Sequence, residues 1–301
     1  MIKKDVTFYS DSVRLVGDIY IPDEYNAGEK RSAIIMLHGF WGTKDSTLAD
    51  QFGEYGNKLI KDGYIIFRYD HPGFGKSGGE KGQLAPKRQV KGIKDAITYL
   101  QQQPEINPDR IGLLGASFGG GNAVYAAAVD PRVNCVVAIG SVADGEAFLR
   151  YERRGWEWQQ FLKKLEEDRI RRVLTGKSEL VDPYQEMMIL SPDEENRHVA
   201  EIRFKDAGVD KISLYSGECI MNFKPIDIAD KINSPVLIIH AERDSLVPPD
   251  KALEMYSRVK ATKKLVTFDC GHYDIFMPGP KLELCIDITR EWYLANMPPL
   301  T

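Results

Sequence analysis

The sequence predicts an α/β fold in which helices flank a mostly parallel, doubly wound sheet. The main observation is that continuous apolar runs alternate with segments of helical periodicity, since strands buried on both faces of a parallel sheet have such runs. The apolar runs lie at residues 33–37, 64–69, 111–114, 133–139, 236–239 and 265–268. The helical segments lie at residues 47–61, 87–102, 120–129, 250–259 and 281–295. Right-handed crossovers bring the loops at the carboxyl ends of these strands to one edge of the sheet.

The N-terminal segment has the pattern of an antiparallel hairpin. Its apolar residues recur at a period of two, which is typical of a half-buried strand. These residues are Val6, Phe8, Val13, Leu15, Ile19 and Ile21. A polar turn at residues 10–12 separates the two runs, so we expect two paired strands before the parallel part of the sheet begins.

The strand–helix alternation is interrupted between residues 145 and 222. Apolar residues at helical spacing occur there within a charged stretch at residues 151–172, namely Trp158, Phe161, Leu162 and Leu165. A second helical patch covers residues 184–190, and residues 191–194 (SPDE) have the pattern of a new helix start. We therefore predict a helical cap at residues 145–222, inserted in an α/β core formed by residues 1–144 and 223–301.

The aromatic residues of the insert leave two interpretations open. Trp156, Trp158, Phe161 and Met187 either attach the cap to the core or line a pocket for an acyl group. A charged cap with an apolar underside would form a lid that excludes water from a cleft, which strengthens electrostatic interactions inside it.

Composition and charge exclude several classes of protein. With 43% apolar residues, the 301-residue chain is able to bury a sizeable core. The net charge of −4 favours neither nucleic acid nor an anionic membrane as a partner. No run approaches the roughly 20 apolar residues of a membrane-spanning helix, and the first residues lack the pattern of a secretory signal. We therefore expect a cytoplasmic protein, with a monomer and a homodimer both left open.

Neither a metal nor a cofactor is predicted. The four cysteines are scattered without C-x-x-C spacing, and the histidines show no zinc-like spacing. Residues 73–78 (GFGKSG) match the G-x-G-x-x-G pattern of dinucleotide-binding loops. A helix should begin inside that pattern, whereas residues 79–83 (GEKGQ) are a poor helix start and indicate a turn-rich loop.

Residues 115–119 (GASFG) carry the strongest functional signal. They match G-x-S-x-G and lie between the apolar run at 111–114 and the helical segment at 120–129. At a strand-to-helix junction this pattern is typical of a nucleophile elbow, a tight turn that exposes a serine hydroxyl above the sheet. The flanking glycines are required because side chains there would collide with the neighbouring strand and helix. Ser117 is therefore the candidate nucleophile.

A serine nucleophile requires a general base and an acid that orients the base. Asp244 follows the apolar run at 236–239, and His272 follows the run at 265–268. Both residues lie in loops after separate strands. The order Ser117, Asp244, His272 along the chain is that of an α/β-hydrolase triad.

Other residues compete for the roles of acid and base. The alternative acids are Asp144, Glu242, Asp269 and Asp274. The remaining histidines are His38, His71, His198 and His240. We expect His38 to hold the loop that follows it in shape rather than to act as the base.

Attack of a serine on an acyl carbon also requires amide groups that stabilise the oxyanion formed. The backbone N–H of Phe118, directly after Ser117, is one expected donor because of the elbow geometry. The second donor is expected from residues 38–42 (HGFWG), which follow the first parallel strand. Phe40 is the candidate there, and Trp41 is its competitor.

Together these motifs resemble those of the α/β-hydrolase superfamily over nearly the whole chain apart from the insert. Residues 38–40 (HGF) and 70–77 (DHPGFGKS) are similar to the cinnamoyl and feruloyl esterases. The stretch from residue 223 to residue 249 is more similar to the X-Pro dipeptidyl-peptidase-like hydrolases. The resemblance implies an α/β-hydrolase fold with an inserted helical cap and a cofactor-independent activity.

The expected activity is hydrolysis of a small-molecule ester through an acyl-enzyme. Ser117 attacks the acyl carbon, His272 accepts its proton, and Asp244 fixes the imidazole. The same residues also suit a thioester, a lactone, the carbon–carbon bond of a diketone, or acyl transfer to an alcohol. A ligand receptor on a hydrolase scaffold is a further, non-enzymatic alternative.

Overall fold

A single eight-stranded sheet forms the centre of the protein in the computed structural model, which describes residues 1–40, 42–45, 50–183, 186 and 211–300. The strands of the described residues are β1 (Ile2–Ser10), β2 (Val13–Ile21), β3 (Arg31–Leu37), β4 (Ile65–Tyr69), β5 (Ile106–Ala116), β6 (Val133–Ile139), β7 (Leu180–Val181), β8 (Ile212–Ser213), β9 (Val236–Ala241) and β10 (Lys263–Phe268). The sheet order is β1–β2–β4–β3–β5–β6–β9–β10, and β7 pairs with β8 separately. All neighbours from β4 to β10 are parallel, which confirms the predicted mostly parallel sheet.

Helices cover both faces of this sheet. The helices of the described residues are α1 (Asp50–Lys61), α2 (Pro86–Leu100), α3 (Phe118–Val129), α4 (Gly145–Tyr151), α5 (Gly155–Thr175), α6 (Tyr215–Met221), α7 (Pro249–Arg258) and α8 (Pro280–Asn296), with 3₁₀ turns at Pro225–Lys231 and Tyr273–Ile275. Helices α2, α3 and α7 pack on one face, and α1 and α8 pack on the other. Strand β3 is therefore buried at every position, as its unbroken apolar run predicts.

The N-terminal hairpin is also confirmed. Strands β1 and β2 pair antiparallel from Ile2 opposite Ile21 to Ser10 opposite Val13. Strand β2 also runs antiparallel to β4, so it joins the hairpin to the parallel part of the sheet. Leu15 is fully buried, because the predicted apolar face of the hairpin lies against the core.

The insert between β6 and β9 contains α4, α5, the β7–β8 pair and α6. Its two ends meet where Gly145 N–H donates to the carbonyl of Phe223 at 2.9 Å. Trp158 and Phe161 lie on α5 and are buried, whereas Trp156 is 57% exposed. The first two belong to the same buried apolar cluster as the core strands and helices, and the role of this aromatic group in attaching the cap or lining a pocket stays a prediction.

The division into a core at residues 1–144 and 223–301 and a cap at 145–222 stays a prediction. The helical patches predicted at 184–190 and 191–194, with Met187, fall outside the described residues apart from Glu186. The first three residues of the helix predicted at 47–61 also fall outside them, and the described part of that helix ends at Lys61 as predicted.

In the described part of the chain, no helix combines the length and the apolar character that a membrane span requires. Helix α5 has 21 residues, but it carries acidic and basic side chains along its whole length.

Candidate active site

Ser117 occupies a strained turn between β5 and α3. Strand β5 ends at Ala116, α3 begins at Phe118, and Ser117 between them has φ 52° and ψ −116°. A positive φ is costly for a residue with a side chain, so the surrounding structure must hold it. One such restraint is the hydrogen bond that Ser117 N–H donates to the carbonyl of Ile139 at 2.7 Å. This geometry is that of the predicted nucleophile elbow.

The two glycines of the motif are required by close backbone approaches. A methyl group on Gly115 would lie 2.1 Å from the carbonyl oxygen of Gly119. A methyl group on Gly119 would lie 2.2 Å from the carbonyl oxygen of Leu37. Since neither backbone atom is able to move without displacing a central strand or α3, the sequence pattern follows directly from the packing at this junction.

Replacing Gly115 by alanine is expected to lower the free energy of unfolding by about 3 kcal/mol, because the added methyl group overlaps backbone rather than a flexible side chain. Gly155→Ala is the matched control: Gly155 begins α5 with no atom within 4 Å of the added methyl group. Urea unfolding of both variants measures the difference. A Gly115→Ala protein as stable as the control would contradict the close approach.

Asp244 and His272 form a buried pair at the carboxyl ends of β9 and β10. His272 Nδ1–H donates to Asp244 Oδ2 at 2.6 Å, and the two residues are 2% and 1% exposed. Asp244 Oδ1 accepts the backbone N–H groups of Leu246 at 2.9 Å and Val247 at 2.7 Å. Because Nδ1 carries the proton, Nε2 of His272 keeps the lone pair that a general base needs.

The electrostatics of the pair favour an ionised Asp244. Burial opposes ionisation, but the adjacent His272 and the backbone N–H of Val247 outweigh it and hold the pKa of Asp244 below its ordinary value. A permanently charged carboxylate in this position stabilises an imidazolium ion on His272.

The lowered pKa of Asp244 predicts a pH dependence of stability. Native Asp244 binds a proton less tightly than the unfolded chain, so it stabilises the fold above the ordinary pKa of 3.8, and this contribution is lost as the pH falls through the lower native pKa. We expect the unfolding free energy of the wild type to fall more steeply below about pH 4 than that of Asp244→Asn. Urea titrations at several pH values measure both slopes, and equal slopes would contradict the pairing.

The rival acids have other roles in the structure. Asp144 caps α4 by accepting the N–H groups of Glu146 and Ala147. Asp269 forms an exposed ion pair with Arg243. Asp274 accepts the backbone N–H of Gly271, and Glu242 accepts a hydrogen bond from the hydroxyl of Thr267. Among the candidate acids, Asp244 is the one that contacts His272.

Ser117 and His272 both lie against the end of β6. Ser117 is hydrogen-bonded to Ile139, the last residue of that strand. His272 Cε1 lies 3.1 Å from the position of a methyl group on Gly140, the next residue. The structure therefore brings all three predicted triad residues to one edge of the sheet.

The loop after β3 lies against the nucleophile turn, where the second oxyanion donor was predicted. A methyl group on Gly39 would lie 3.2 Å from Ser117 Cβ and 3.8 Å from the amide nitrogen of Phe118. Phe118 is the first residue of α3, so its N–H has no acceptor within the helix. Phe40 follows Gly39 directly, and its competitor Trp41 lies outside the described residues. Assignment of Phe40 and Phe118 as the oxyanion donors stays a prediction.

His38 holds this loop in place, as predicted. Its Nε2 accepts the backbone N–H of His71 at 3.2 Å, and its Nδ1 donates to the carbonyl of Gly39 at 3.1 Å. Burial lowers the pKa of His38, which keeps the imidazole neutral and preserves its acceptor nitrogen.

Asp70 is a second anchor of the loop, and the sequence reasoning missed it. Its two carboxylate oxygens accept the N–H groups of Lys44 at 2.7 Å and Lys76 at 2.8 Å. The Lys44 ammonium is buried and pairs with Asp18 at 2.7 Å. Asp70 is the first residue of the motif at residues 70–77, which was recognised from the sequence. The hydrogen bonds by which Asp70 holds the loop were not predicted.

Aromatic side chains of the core and the insert pack around Phe118, the residue that follows Ser117. The ring of Phe118 lies 5.9 Å from that of Phe148 on α4 and 5.9 Å from that of Phe223. Phe40 lies 6.1 Å from Phe118 and 6.4 Å from Phe148. The insert and the core therefore share an apolar contact next to Ser117.

Features of metal and dinucleotide sites can also be compared with the structure. Within the described residues, no group of three or more His, Cys, Asp or Glu side chains is placed to hold a metal ion. Residues 73–78 form the predicted turn-rich loop, and α2 begins only at Pro86.

Sequence comparison identifies several similar proteins. An uncharacterised 31.7 kDa protein from the traX–finO intergenic region of Escherichia coli is 32% identical over 271 residues, which cover 89% of this chain and 92% of that protein. The quorum-quenching protein AidA of Acinetobacter baumannii is 26% identical over 91% of this chain and 88% of its own. The polyketide transferase grgF of a Penicillium species is 26% identical over 83% of this chain and 84% of its own.

Solved structures share the fold at lower identity. DcsB in complex with its substrate analogue has a TM-score of 0.83 and 23% identity, covering 98% of this chain and 99% of that chain. Est1E from Butyrivibrio proteoclasticus with bound ferulic acid has a TM-score of 0.66 and 21% identity, covering 97% of this chain and 98% of that chain. The family model described as the alpha/beta hydrolase fold matches residues 32–277. The chain therefore belongs to the alpha/beta hydrolase fold family.

Proposed function

We propose that the protein is a serine hydrolase that cleaves a carboxylic ester through an acyl-enzyme intermediate. The observation that carries the proposal is the buried 2.6 Å hydrogen bond between His272 and Asp244 at the same sheet edge as the strained turn of Ser117. Buried acid–base pairs of this kind are the arrangement that activates a serine hydroxyl as a nucleophile.

Each group has a defined role in the proposed reaction. Ser117 Oγ attacks the acyl carbon while His272 Nε2 accepts its proton, and Asp244 stabilises the resulting imidazolium. The backbone N–H groups of Phe118 and Phe40 bind the oxyanion of the tetrahedral intermediate. His272 then protonates the departing alcohol and activates the water that releases the acid.

The surroundings of Ser117 favour an apolar acyl or alcohol group. The rings of Phe40, Phe118 and Phe148 pack against one another, and Phe118 directly follows the nucleophile in the chain; apolar surroundings of this kind favour apolar substrate groups. We propose that the insert at residues 145–222 acts as a cap over the site, since Phe148 belongs to it.

The decisive experiment is labelling with a fluorophosphonate probe, which reacts with activated serine hydroxyls. We expect one adduct, located on Ser117 by mass spectrometry and absent in Ser117→Ala. Wild-type protein that is folded and remains unlabelled would mean that the triad is idle, and it would favour the ligand-receptor alternative.

Acyl transfer is a second candidate, supported by the likeness to a polyketide transferase over most of the chain. In that reaction an alcohol replaces water in the second step, and the same triad serves both outcomes. Adding an acceptor alcohol during turnover separates the two: a new ester indicates transfer, and release of the free acid alone indicates hydrolysis.

A further inference from the structure

His240 is a second buried imidazole next to Asp244. It lies in β9, is 2% exposed, and has no assigned part in the proposed reaction. Its Nε2 lies 3.3 Å from the carbonyl oxygen of Val247 and 3.5 Å from Asp244 Oδ2. A carbonyl oxygen only accepts hydrogen bonds, so Nε2 of His240 carries the ring proton. This N–H lies between the carbonyl oxygen of Val247 and Asp244 Oδ2. Nδ1 of His240 has no hydrogen-bond partner among the described residues.

Val247 connects His240 to the carboxylate from the other side. The N–H of Val247 donates to Asp244 Oδ1 at 2.7 Å, while its carbonyl receives the Nε2–H of His240. The turn from Asp244 to Val247 is thereby fastened to the strand that precedes it. Inside this turn, Oδ1 is held by backbone amides, and Oδ2 points to Nδ1 of His272.

We propose that His240 is a positioning residue that fixes the direction of the Asp244 carboxylate towards His272. The inference deepens the proposed function and rests on it, because the triad is the machinery that His240 supports. Without the Nε2–H of His240, the buried carbonyl of Val247 loses its partner and the turn loosens. The Asp244–His272 hydrogen bond then lengthens, and the general base is less well oriented.

A neutral His240 suits this role. Among the described residues, the ionisable groups that act on it are Asp244 and His272, and burial lowers its pKa. A neutral ring supplies a directed N–H, whereas a cation would compete with His272 for the charge of Asp244.

The test compares His240→Phe, which removes the donor, with His240→Gln, whose amide nitrogen reaches a similar place. NMR of ¹⁵N-labelled histidine gives the chemical shift of the Nδ1–H proton of His272 in each protein, and kinetics on a chromogenic ester give kcat and KM. For His240→Phe we expect this proton signal to move upfield, because the hydrogen bond to Asp244 lengthens. We expect kcat to fall about tenfold, with KM unchanged. His240→Gln should restore both values towards those of the wild type.

His71→Gln is the matched control, since His71 is another fully buried imidazole whose ring nitrogens have no partner among the described residues. It should leave the Nδ1–H proton signal of His272 unchanged, because its ring lies against His38 rather than Asp244. If His240→Phe does not fold, His240→Ala provides the same readout. A His272 Nδ1–H signal that stays in place or moves downfield without the donor would overturn the inference. The NMR readout needs no turnover, so it separates this failure from failure of the proposed function, which the missing Ser117 adduct would reveal.

Discussion

Replacing Ser117 by alanine is expected to lower kcat for ester hydrolysis on the order of 10⁶-fold, because the acyl-enzyme no longer forms. The small remaining rate would come from oxyanion stabilisation and substrate binding alone. Steady-state kinetics on a chromogenic short-chain ester measure the loss. Thermal unfolding should show a folded protein, since the change removes one hydroxyl from a partly exposed position.

Ser141→Ala is the matched control for this experiment. Ser141 is buried beside α3, close to Gly120, and its hydroxyl has no hydrogen-bond partner within the described residues. We expect this variant to retain its activity. Similar losses in both variants would point to damage of the turn rather than removal of a nucleophile.

Replacing Asp244 by asparagine is expected to lower kcat on the order of 10⁴-fold at neutral pH. The amide group of asparagine is able to donate to Nδ1 of His272, which moves the imidazole proton to Nε2 and blocks proton acceptance from Ser117. Burial of the pair makes this effect large, because no solvent replaces the lost charge. Steady-state kinetics measure kcat.

Asp269→Asn is the matched control, because Asp269 lies much closer to His272 along the chain than Asp244 does. The Asp269 side chain is 77% exposed and pairs with Arg243 at 2.6 Å. Exposed ion pairs contribute little to stability, so we expect this variant to keep its activity. A large loss in Asp269→Asn, with Asp244→Asn active, would reassign the acid.

Strands such as β3 and β9 were predictable because they are buried along their length and therefore have unbroken apolar runs. The elbow was predictable for a similar reason: a methyl group on Gly115 or Gly119 would lie close to 2 Å from a backbone oxygen, so only glycine fits at these positions. The insert was less predictable. Its aromatic residues divide between buried Trp158 and exposed Trp156, and helical spacing alone does not distinguish the two.

A local sequence pattern does not determine which aspartate contacts the candidate base. Asp244, Asp269 and Asp274 lie in the same two loops, and nothing in their sequence spacing determines which carboxylate meets Nδ1 of His272. The turn from Asp244 to Val247 determines which carboxylate meets the base. Asp244 Oδ2 accepts from Nδ1 of His272, while Oδ1 accepts the backbone N–H groups of Leu246 and Val247.

The sequence by itself determined the sheet and the tight turn at Ser117, because burial and steric exclusion act on each residue type locally. Tertiary structure alone decided which residues support that machinery. Asp70 joins two loops through the amides of Lys44 and Lys76, and His240 meets Asp244 only because the strand end and the following turn fold together. Hydrogen bonds between segments depend on distance and direction in space, and residue type specifies neither.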